Sequence, residues 1–174
     1  MSPQRPGAPH QGPRISSGNL WDQLESAGVP GIVGTYVHTS FLTVIAIEQK
    51  YAGHARQTAM AAMGCSAIAR LTRYVVIVDE DIDPSNLQEV VWAMTSRVDP
   101  IWDIQFIDEC SSNPLDPRMP PNKKNGPFTM SRAIYYAVRP WEWRHEFPEV
   151  IRIDKDERLS PLQKYGSTLS FQKQ

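Results

Sequence analysis

Cysteine is scarce in this sequence, and long apolar runs are absent. The 174 residues include two cysteines, Cys65 and Cys110, which form no Cys-x-x-Cys pair. Sparse cysteine is typical of a reducing compartment, so we predict a cytoplasmic protein with two free thiols; a disulfide between them is the less favoured alternative. Because no apolar run approaches the roughly 18 residues of a membrane-spanning helix, we also predict no membrane association.

An excess of either charge is also missing. The 18 Lys and Arg residues nearly balance the 19 Asp and Glu residues, and the formal net charge is -1. Domains dedicated to nucleic-acid binding normally carry a basic excess, so we exclude a nucleic-acid partner. A chain of this length is sufficient for one domain with its own hydrophobic core.

The sequence lacks the motifs of several enzyme classes. It has no Gly-x-Ser-x-Gly nucleophile elbow, and its four histidines are scattered without the spacing of metal ligands. We therefore predict neither a metal site nor a self-sufficient group of catalytic residues.

Proline marks two irregular segments on either side of a structured middle. Residues 1–19 hold four prolines and three glycines, which predicts a flexible tail, and the loop over 111–130 holds five further prolines. A loop of this length usually has a purpose in a compact domain. Leu115, on a proline-stiffened backbone, can wall a pocket, and a subunit contact is an equally weighted alternative.

The apolar pattern between these segments predicts alternating helices and strands. The predicted elements are helix 20–27, strands 32–38 and 41–47, helix 52–70, strand 74–78, helix 83–95, strand 103–107 and a strand or short helix over 133–138, with a helical tail beginning over 141–147. Asn19 and Asp83 are the predicted N-caps, with Pro84 in the first helical position. Two crossover units result, so the predicted fold is α/β, a layered mixed sheet with crossover helices.

An acidic run follows the apolar strand 74–78. It comprises Asp79, Glu80, Asp81 and Asp83. Carboxylates at the end of a parallel strand lie where α/β sheets bind ligands, so a metal or acid–base role is one interpretation. We favour the other, a solvated loop in which Asp83 caps the next helix.

A second candidate site lies at the start of the long helix. Gly53, His54 and Arg56 are placed there so that backbone N–H groups and a cationic side chain can hold an anion. One glycine is a weak signal, and we favour a tight strand-to-helix turn that uses Gly53 for close packing.

Four linked features of the sequence resemble one enzyme family. They are a Gln-Lys-Tyr-Ala-Gly-His-Ala-Arg turn, the apolar strand, the Asp-Glu-Asp-Ile-Asp run and a Val-Trp-Ala-Met-Thr-Ser-Arg-Val-Asp-Pro stretch. Together they resemble the C-terminal domain of the UbiD family of decarboxylases, which use prenylated FMN to remove carboxylate from aromatic and unsaturated acids or to add it. The resemblance covers residues 20–165, the predicted α/β domain, and leaves 166–174 as a C-terminal tail.

The resemblance also implies which parts of the enzyme lie elsewhere. In that family a large N-terminal domain carries the flavin, the Mn or Mg and K ions, and a catalytic Glu-Arg-Glu group. We therefore expect no catalytic residue in this chain and no cofactor bound by this chain alone. The expected partner is a large flavin-binding subunit, within a homo- or hetero-oligomer.

Five residues gain a role through the resemblance. Leu71 and Thr72 match the segment that faces cofactor and substrate, and Pro114 and Leu115 match the pocket-lining loop. Some family members carry a lysine that meets the flavin phosphate; here Arg70 is the expected substitute.

Three hypotheses follow. The first is a small subunit or C-terminal half of a UbiD-type decarboxylase that shapes the substrate pocket. The second is a non-catalytic oligomerisation or interaction module derived from such an enzyme. The third, the weakest, is a protein that sequesters or delivers a small acid through the region of Arg56 and Arg70.

Overall fold

The computed structural model describes the backbone of residues 13–123 and 125–148 and the side chains of 17–122 and 125–148. One compact unit spans Met1–Arg144; of the second, His145–Gln174, residues 145–148 are described. The elements, in chain order, are α1 (Pro13–Ser26), β1 (Ile32–Thr39), β2 (Leu42–Ile47), α2 (His54–Gly64), β3 (Tyr74–Asp79), α3 (Leu87–Arg97), β4 (Ile104–Ser111) and β5 (Thr129–Ala137), with short 3-10 helices at Pro121–Lys123 and Trp141–Trp143.

The five strands form one mixed sheet in the order β1-β2-β3-β5-β4. The three central strands are parallel, whereas β1 and β4 run antiparallel to their neighbours at the two edges. Val76, in the middle of β3, pairs with Val44 on one side and Tyr135 on the other. A strand buried on both faces reads as a continuous apolar run, and β3 confirms the prediction made from that run.

Helices α1 and α2 cover one face of the sheet. Leu20 and Leu24 of α1 are fully buried, because a spacing of four residues places both on the same face of a helix. The buried face of α2 presents Ala55, Ala59 and Ala62. Small alanine side chains let a helix approach the sheet closely. The sheet residues beneath the two helices are Val37, Ile45, Ile47, Val75, Ile77, Ile134 and Tyr136.

Helix α3 packs on the opposite face. Val90 and Ala93 are its buried apolar residues, and they lie against a smaller cluster that includes Val44, Val76 and Val78. The mixed sheet between two helical layers confirms the predicted fold class.

Helices α1 and α2 differ in length from their predictions. Helix α1 begins at Pro13, whose fixed φ suits the first helical position, so Asn19 lies inside the helix and is not its N-cap. Helix α2 ends at Gly64, well before the predicted end at Arg70, because Cys65 turns into extended backbone with φ -70 and ψ 126. Glycine is a weak helix former, and it outweighs the alanines that follow.

Helix α3 begins later than predicted. Its N-cap is Asn86, whose side chain accepts a hydrogen bond from the backbone N–H of Gln88 at 3.1 Å. Asp83 instead accepts hydrogen bonds from the backbone N–H and the hydroxyl of Ser85, at 2.8 and 2.7 Å. The side chain of Asp83 thus forms a local turn before the helix, which is the competing use of such residues.

The predicted second crossover is wrong. Strand β4 pairs antiparallel with β5, so the chain reverses direction between them. The long loop therefore joins two antiparallel neighbours, and residues 133–138, left as strand or short helix, belong largely to β5. An edge strand can accept either direction, and the apolar pattern of β4 does not encode the choice.

The remaining expectations concern cysteines, membrane spans and the termini. Cys65 and Cys110 are both free thiols, as predicted. Among the described residues, no helix combines the length and the apolar character needed to cross a bilayer. The predicted helical tail opens with the 3-10 helix Trp141–Trp143. Residues 1–12 and 149–174, including the predicted tail over 166–174, lie outside the described residues.

Candidate functional site

The candidate site residues lie at the two opposite ends of β3. The connector 65–73 precedes β3, and the loop 112–119 follows β4 at the same end of the sheet; we call this end the loop edge. Asp79 closes β3 at the other end, together with Glu80 and Asp81; we call this end the acidic edge.

The loop edge brings together the four residues predicted for the pocket. Thr72 is buried, and its hydroxyl lies 3.2 Å from that of Thr43. Leu71 beside it is half-buried, whereas Pro114 and Leu115 are exposed. Leu115 is 61% exposed, although the adjacent Asp116 is buried.

The anchor of the loop is the buried carboxylate of Asp116. Its Oδ1 accepts hydrogen bonds from Arg73 Nη2 at 2.6 Å and from the backbone N–H of Arg118 at 2.9 Å, and Ser112 Oγ lies 3.2 Å from Oδ2. Burial alone would raise the pKa of Asp116, but these donors and the charge of Arg73 outweigh it and hold the pKa below its ordinary value. The loop is therefore fixed by an ionised side chain.

A second anchor at this edge is Arg132 of β5. Its buried guanidinium donates to the carbonyl of Ala69, to the carbonyl of Ser111 at 3.2 Å and to Met63 Sδ at 3.6 Å. Burial lowers the pKa of Arg132, against a smaller opposing influence from Cys110. Within the described side chains no carboxylate pairs with Arg132, which is uncommon for a buried cation.

Arg70 differs from these two arginines. Its side chain is exposed, and it makes no hydrogen bond or ion pair with any residue in the described part of the chain. Of the arginines on the connector, Arg70 is therefore the one still available to an anionic group.

The sequence reasoning missed Arg73, Asp116 and Arg132. A signal existed for Arg132, because strand alternation places it on the same buried face as Met130 and Ile134. No comparable signal existed for the pair of Arg73 and Asp116, because the two residues lie 43 positions apart in the sequence.

Asp79 is the centre of the acidic edge. Its Oδ1 accepts a hydrogen bond from Gln49 at 2.7 Å, and its Oδ2 accepts from Arg97 Nη1 at 2.9 Å and from the backbone N–H of Arg139 at 2.6 Å. Burial raises the pKa of Asp79, although each of these donors acts in the opposite direction. The carboxylate of Asp79 thus links the carboxyl ends of the three parallel strands β2, β3 and β5.

The neighbouring carboxylates also pair with arginine. Arg97 binds Asp81 through two parallel hydrogen bonds of 3.0 and 2.7 Å, and Arg139 Nη2 lies 2.6 Å from Glu80 Oε1. Burial acts to raise the pKa of Asp81, but Arg97 outweighs it and lowers the pKa. Bidentate pairing of this kind is among the stronger polar contacts in proteins.

The acidic edge is therefore an ion-pair network. Among the described side chains there is no group of three or more His, Cys, Asp or Glu residues arranged to hold a metal. The favoured prediction was a solvated loop in which Asp83 caps the next helix. It is wrong, because Asp79 is buried and Asn86 is the N-cap of α3. Arg97 was also missed, although helical spacing places it on the buried stripe of Val90 and Ala93.

The turn before α2 agrees with the tight geometry of its favoured interpretation, but the expected close packing at Gly53 is wrong, because a Cβ there would meet no atom of the described structure within 4 Å. Gly53 has a left-handed φ of 83 and precedes the first helical residue, as a tight turn requires. His54 is fully buried, and burial lowers its pKa, so the ring is neutral. Arg56 donates to the carbonyl of Trp102 at 2.8 Å and lies 4.6 Å from the ring centroid of Tyr136. Because Arg56 is committed to these contacts, it gives no support to the hypothesis of a small acid held through the region of Arg56 and Arg70.

Part of the sequence of curated relatives is similar to this chain. The phenolic acid decarboxylase of Sedimentibacter hydroxybenzoicus is 33% identical over 124 residues, which are 70% of this chain and 24% of that protein. The phenolic acid decarboxylase of Escherichia coli O157:H7 is 35% identical over 104 residues, 59% of this chain and 22% of that protein. The chain thus spans about a quarter of the length of these relatives.

Solved structures share its fold. The vanillic acid decarboxylase of Sedimentibacter hydroxybenzoicus in its open form matches with a TM-score of 0.68 and 26% identity, covering 90% of this chain and 33% of that one. Its closed form matches with a TM-score of 0.65 and 28% identity, covering 85% and 31%. A UbiD-class enzyme from Pelotomaculum thermopropionicum, in complex with FMN, matches at 24% identity and a TM-score of 0.67, covering 86% and 31%, and so supports the fold alone.

The family comparison agrees with both. The sequence model of the 3-octaprenyl-4-hydroxybenzoate carboxy-lyase C-terminal domain matches residues 14–137, which include all five strands. The chain belongs to the UbiD family of carboxy-lyases and carries the C-terminal domain of that family.

Proposed function

We propose that this chain is the small subunit, or the C-terminal half, of a UbiD-type decarboxylase that acts on aromatic or unsaturated carboxylic acids. Its part in the reaction is to shape the substrate pocket, while a large flavin-binding subunit or domain carries the catalytic Glu-Arg-Glu group and the metal ions. The observation that carries the proposal is the loop edge, where Asp116 fixes a loop that presents Leu115 to the outside.

The loop edge has the character of one wall of a pocket. Leu71 and Leu115 offer apolar surface, and Pro114 stiffens the backbone directly before Leu115, which the anchor Asp116 follows. An apolar wall with few polar groups suits the flat ring of an aromatic acid. In the proposed enzyme these side chains contact the ring and exclude water, and the carboxylate points to the partner, where its bond is broken.

Arg70 fits the phosphate of a flavin. Its side chain is exposed, and it has no internal ion pair among the described residues, unlike Arg73 beside it. An arginine can bind a phosphate through two parallel hydrogen bonds. Prenylated FMN, when held by the partner, would supply the covalent chemistry of decarboxylation. The role of Arg70 is to hold the phosphate end when the two parts come together.

A closing movement agrees with this division of labour. The vanillic acid decarboxylase of Sedimentibacter hydroxybenzoicus has both an open and a closed form. Closing a small domain over a bound substrate removes water and completes the site. We propose the same movement for this domain, with the loop edge facing the partner.

Reconstitution tests the proposal. The chain is mixed with a flavin-bearing UbiD-type large chain, and release of CO2 is measured with vanillic acid and 3,4-dihydroxybenzoic acid. We expect turnover above that of the large chain alone. The matched variant Arg70→Gln removes one exposed charge and should weaken flavin retention without unfolding the domain. No gain over the large chain alone would exclude the decarboxylase role.

A second candidate function is a non-catalytic interaction module. The outer surface of α3 favours it, because Leu87, Val91 and Trp92 are exposed there, and Ile101 and Trp102 beyond the helix are 78% and 72% exposed. Apolar patches of this kind often mark protein contacts. Size-exclusion chromatography with light scattering separates the two functions. A stable homo-oligomer that gains no activity with a large chain supports the module, whereas a monomer that binds the large chain supports the decarboxylase.

A further inference from the structure

Two arginines tie the connector 65–73 to the loop 112–119. Arg73 leaves the connector and binds Asp116 in the loop at 2.6 Å. Arg132, from β5, donates to the carbonyl of Ala69 in the connector and to that of Ser111, the last residue of β4, which the loop directly follows. Arg73 therefore joins the connector to the loop itself, and Arg132 joins the connector to the strand end from which the loop leaves.

The free-energy cost of burying Arg132 indicates that its guanidinium has a specific structural role. Burying a guanidinium without a carboxylate is unfavourable, and Arg132 is 2% exposed with its Nε unpartnered in the described structure. An apolar residue of similar volume would serve the core at this position at lower cost. The guanidinium does what an apolar side chain cannot, because it holds two main-chain carbonyls from different segments at a fixed separation.

The loop itself has further internal bonds. The backbone N–H of Met119 donates to the Asp116 carbonyl at 3.0 Å, that of Asp116 to the Asn113 carbonyl at 3.1 Å, and that of Leu115 to Asn113 Oδ1 at 2.7 Å. Met119 is buried and closes the loop on its inner side. These contacts describe a preformed turn whose only large exposed apolar side chain, among the described residues of 112–119, is Leu115.

We propose that Arg73 and Arg132 are positioning residues that lock the connector and the loop into one rigid wall. The separation of Leu71 and Leu115 is then set before any substrate arrives, and it selects substrates by the width of the ring and its substituents. The consequence for substrate choice rests on the proposed function; the lock itself does not. The wall moves with the domain as a body, and the loop does not open separately.

Hydrogen exchange on the intact chain tests the lock. Asp116→Asn keeps the size of the side chain and removes its charge, and Arg73→Met removes the partner. Each should speed amide exchange in the peptide 112–119 roughly tenfold, the factor that corresponds to about 1.4 kcal/mol of lost interaction. The double variant should exchange no faster than either single one, because the two residues act as a pair. Unchanged exchange, or effects that simply multiply, would overturn the lock.

Three further variants complete this test. Glu48→Gln is the matched control: it removes a carboxylate from an exposed pair with Lys50 at 2.6 Å, at the other end of the sheet, and should leave the loop unchanged. Arg73→Lys should restore part of the protection. Arg132→Met should speed exchange in both the loop and the connector; if it does not fold, the Asp116 and Arg73 variants still decide the outcome.

Kinetics of the assembled enzyme test the positioning role. Asp116→Asn should raise KM more than it lowers kcat, and it should change the ratio of kcat/KM between ring-substituted acids and benzoic acid at least several-fold. A uniform loss of activity on all acids would reduce Arg73 and Asp116 to structural residues. If no partner gives activity, the proposed function fails, whereas the exchange result still decides the lock.

Discussion

Arg97 and Asp79 form an ion pair at 2.9 Å in which both side chains are withdrawn from solvent, at 0% and 1% exposure. The pair links the last turn of α3 to the last residue of β3. Each charge would be costly alone, so the domain depends on keeping both, and Gln49 and Arg139 complete the set around the carboxylate. Stability at this end of the sheet is thus conditional on a polar network.

Removing the charge of Asp79 should destabilise the domain strongly. Asp79→Asn removes one of the two carboxylates that Arg97 binds. Losing one partner of a buried pair costs about 3 to 5 kcal/mol, and because Asp81 still pairs with Arg97 we expect a loss at the lower end of that range. Urea denaturation followed by circular dichroism measures the free energy of unfolding. Asp83→Asn is the control, because Asn preserves the turn with Ser85, and it should change stability by less than about 0.5 kcal/mol. Equal effects of the two variants would contradict the importance of the network.

Truncation in the central strand should cost stability through a cavity. Val76 is fully buried between β2 and β5, and Val76→Ala should lower the free energy of unfolding by about 1 to 3 kcal/mol. The same truncation at Val33, which is exposed on β1, should have little effect. Thermal or urea unfolding of both variants checks this. An unchanged free energy of unfolding for Val76→Ala would contradict the tight packing of β3.

The contribution of Asp116 should vanish in acid. Its pKa in the folded chain lies below the ordinary value, so its stabilising effect is complete above about pH 4 and is lost as the pH falls through the folded pKa. At pH 7 the free energy of unfolding of the native chain should exceed that of Asp116→Asn by about 1.5 to 3 kcal/mol, the range for a charged hydrogen bond. Urea unfolding at several pH values between 7 and 2.5 should show the two converging. A constant difference across this range would contradict the ionised anchor.

Leu115→Ala should change substrate preference without changing stability. The side chain is mostly exposed, so its truncation should alter the free energy of unfolding by less than about 0.5 kcal/mol. In the reconstituted enzyme the ratio of kcat/KM between two ring-substituted acids should shift. Leu87→Ala, an exposed leucine beyond the opposite end of β3, is the control. A ratio equal to that of the native chain would remove Leu115 from the pocket.

Local patterns determined how much of the fold was predictable. The run Tyr-Val-Val-Ile-Val predicted β3, because a strand covered on both faces needs an apolar residue at every position. The N-cap of α3 was mistaken because Asp83 and Asn86 both suit that position, and only the geometry shows that Asp83 bonds to Ser85. The direction of β4 was mistaken because it depends on which strand lies beside it.

The resemblance predicted residues that share the loop edge, but it did not predict the side chains that anchor them. The resemblance pointed to Leu71 and Leu115, and the structure places both at one edge, but it gave no indication of the bond between Arg73 and Asp116. Two residues so distant along the chain produce no periodic pattern in the sequence, because they meet only when the chain folds. Arg97 and Arg132 are intermediate cases, since helix and strand spacing alone would have assigned them to buried faces.

The antiparallel placement of β4 affects how this domain can evolve. The segment between β4 and β5 returns to the same edge, so neither the order nor the pairing of the central strands depends on its length. The entropy of closing a loop rises slowly with the number of residues, so insertions beyond Met119 would burden folding little. Lengthening or shortening this one hairpin connection would therefore reshape the loop edge, and in the proposed enzyme the range of acids accepted, while the sheet and its ion pairs remain unchanged.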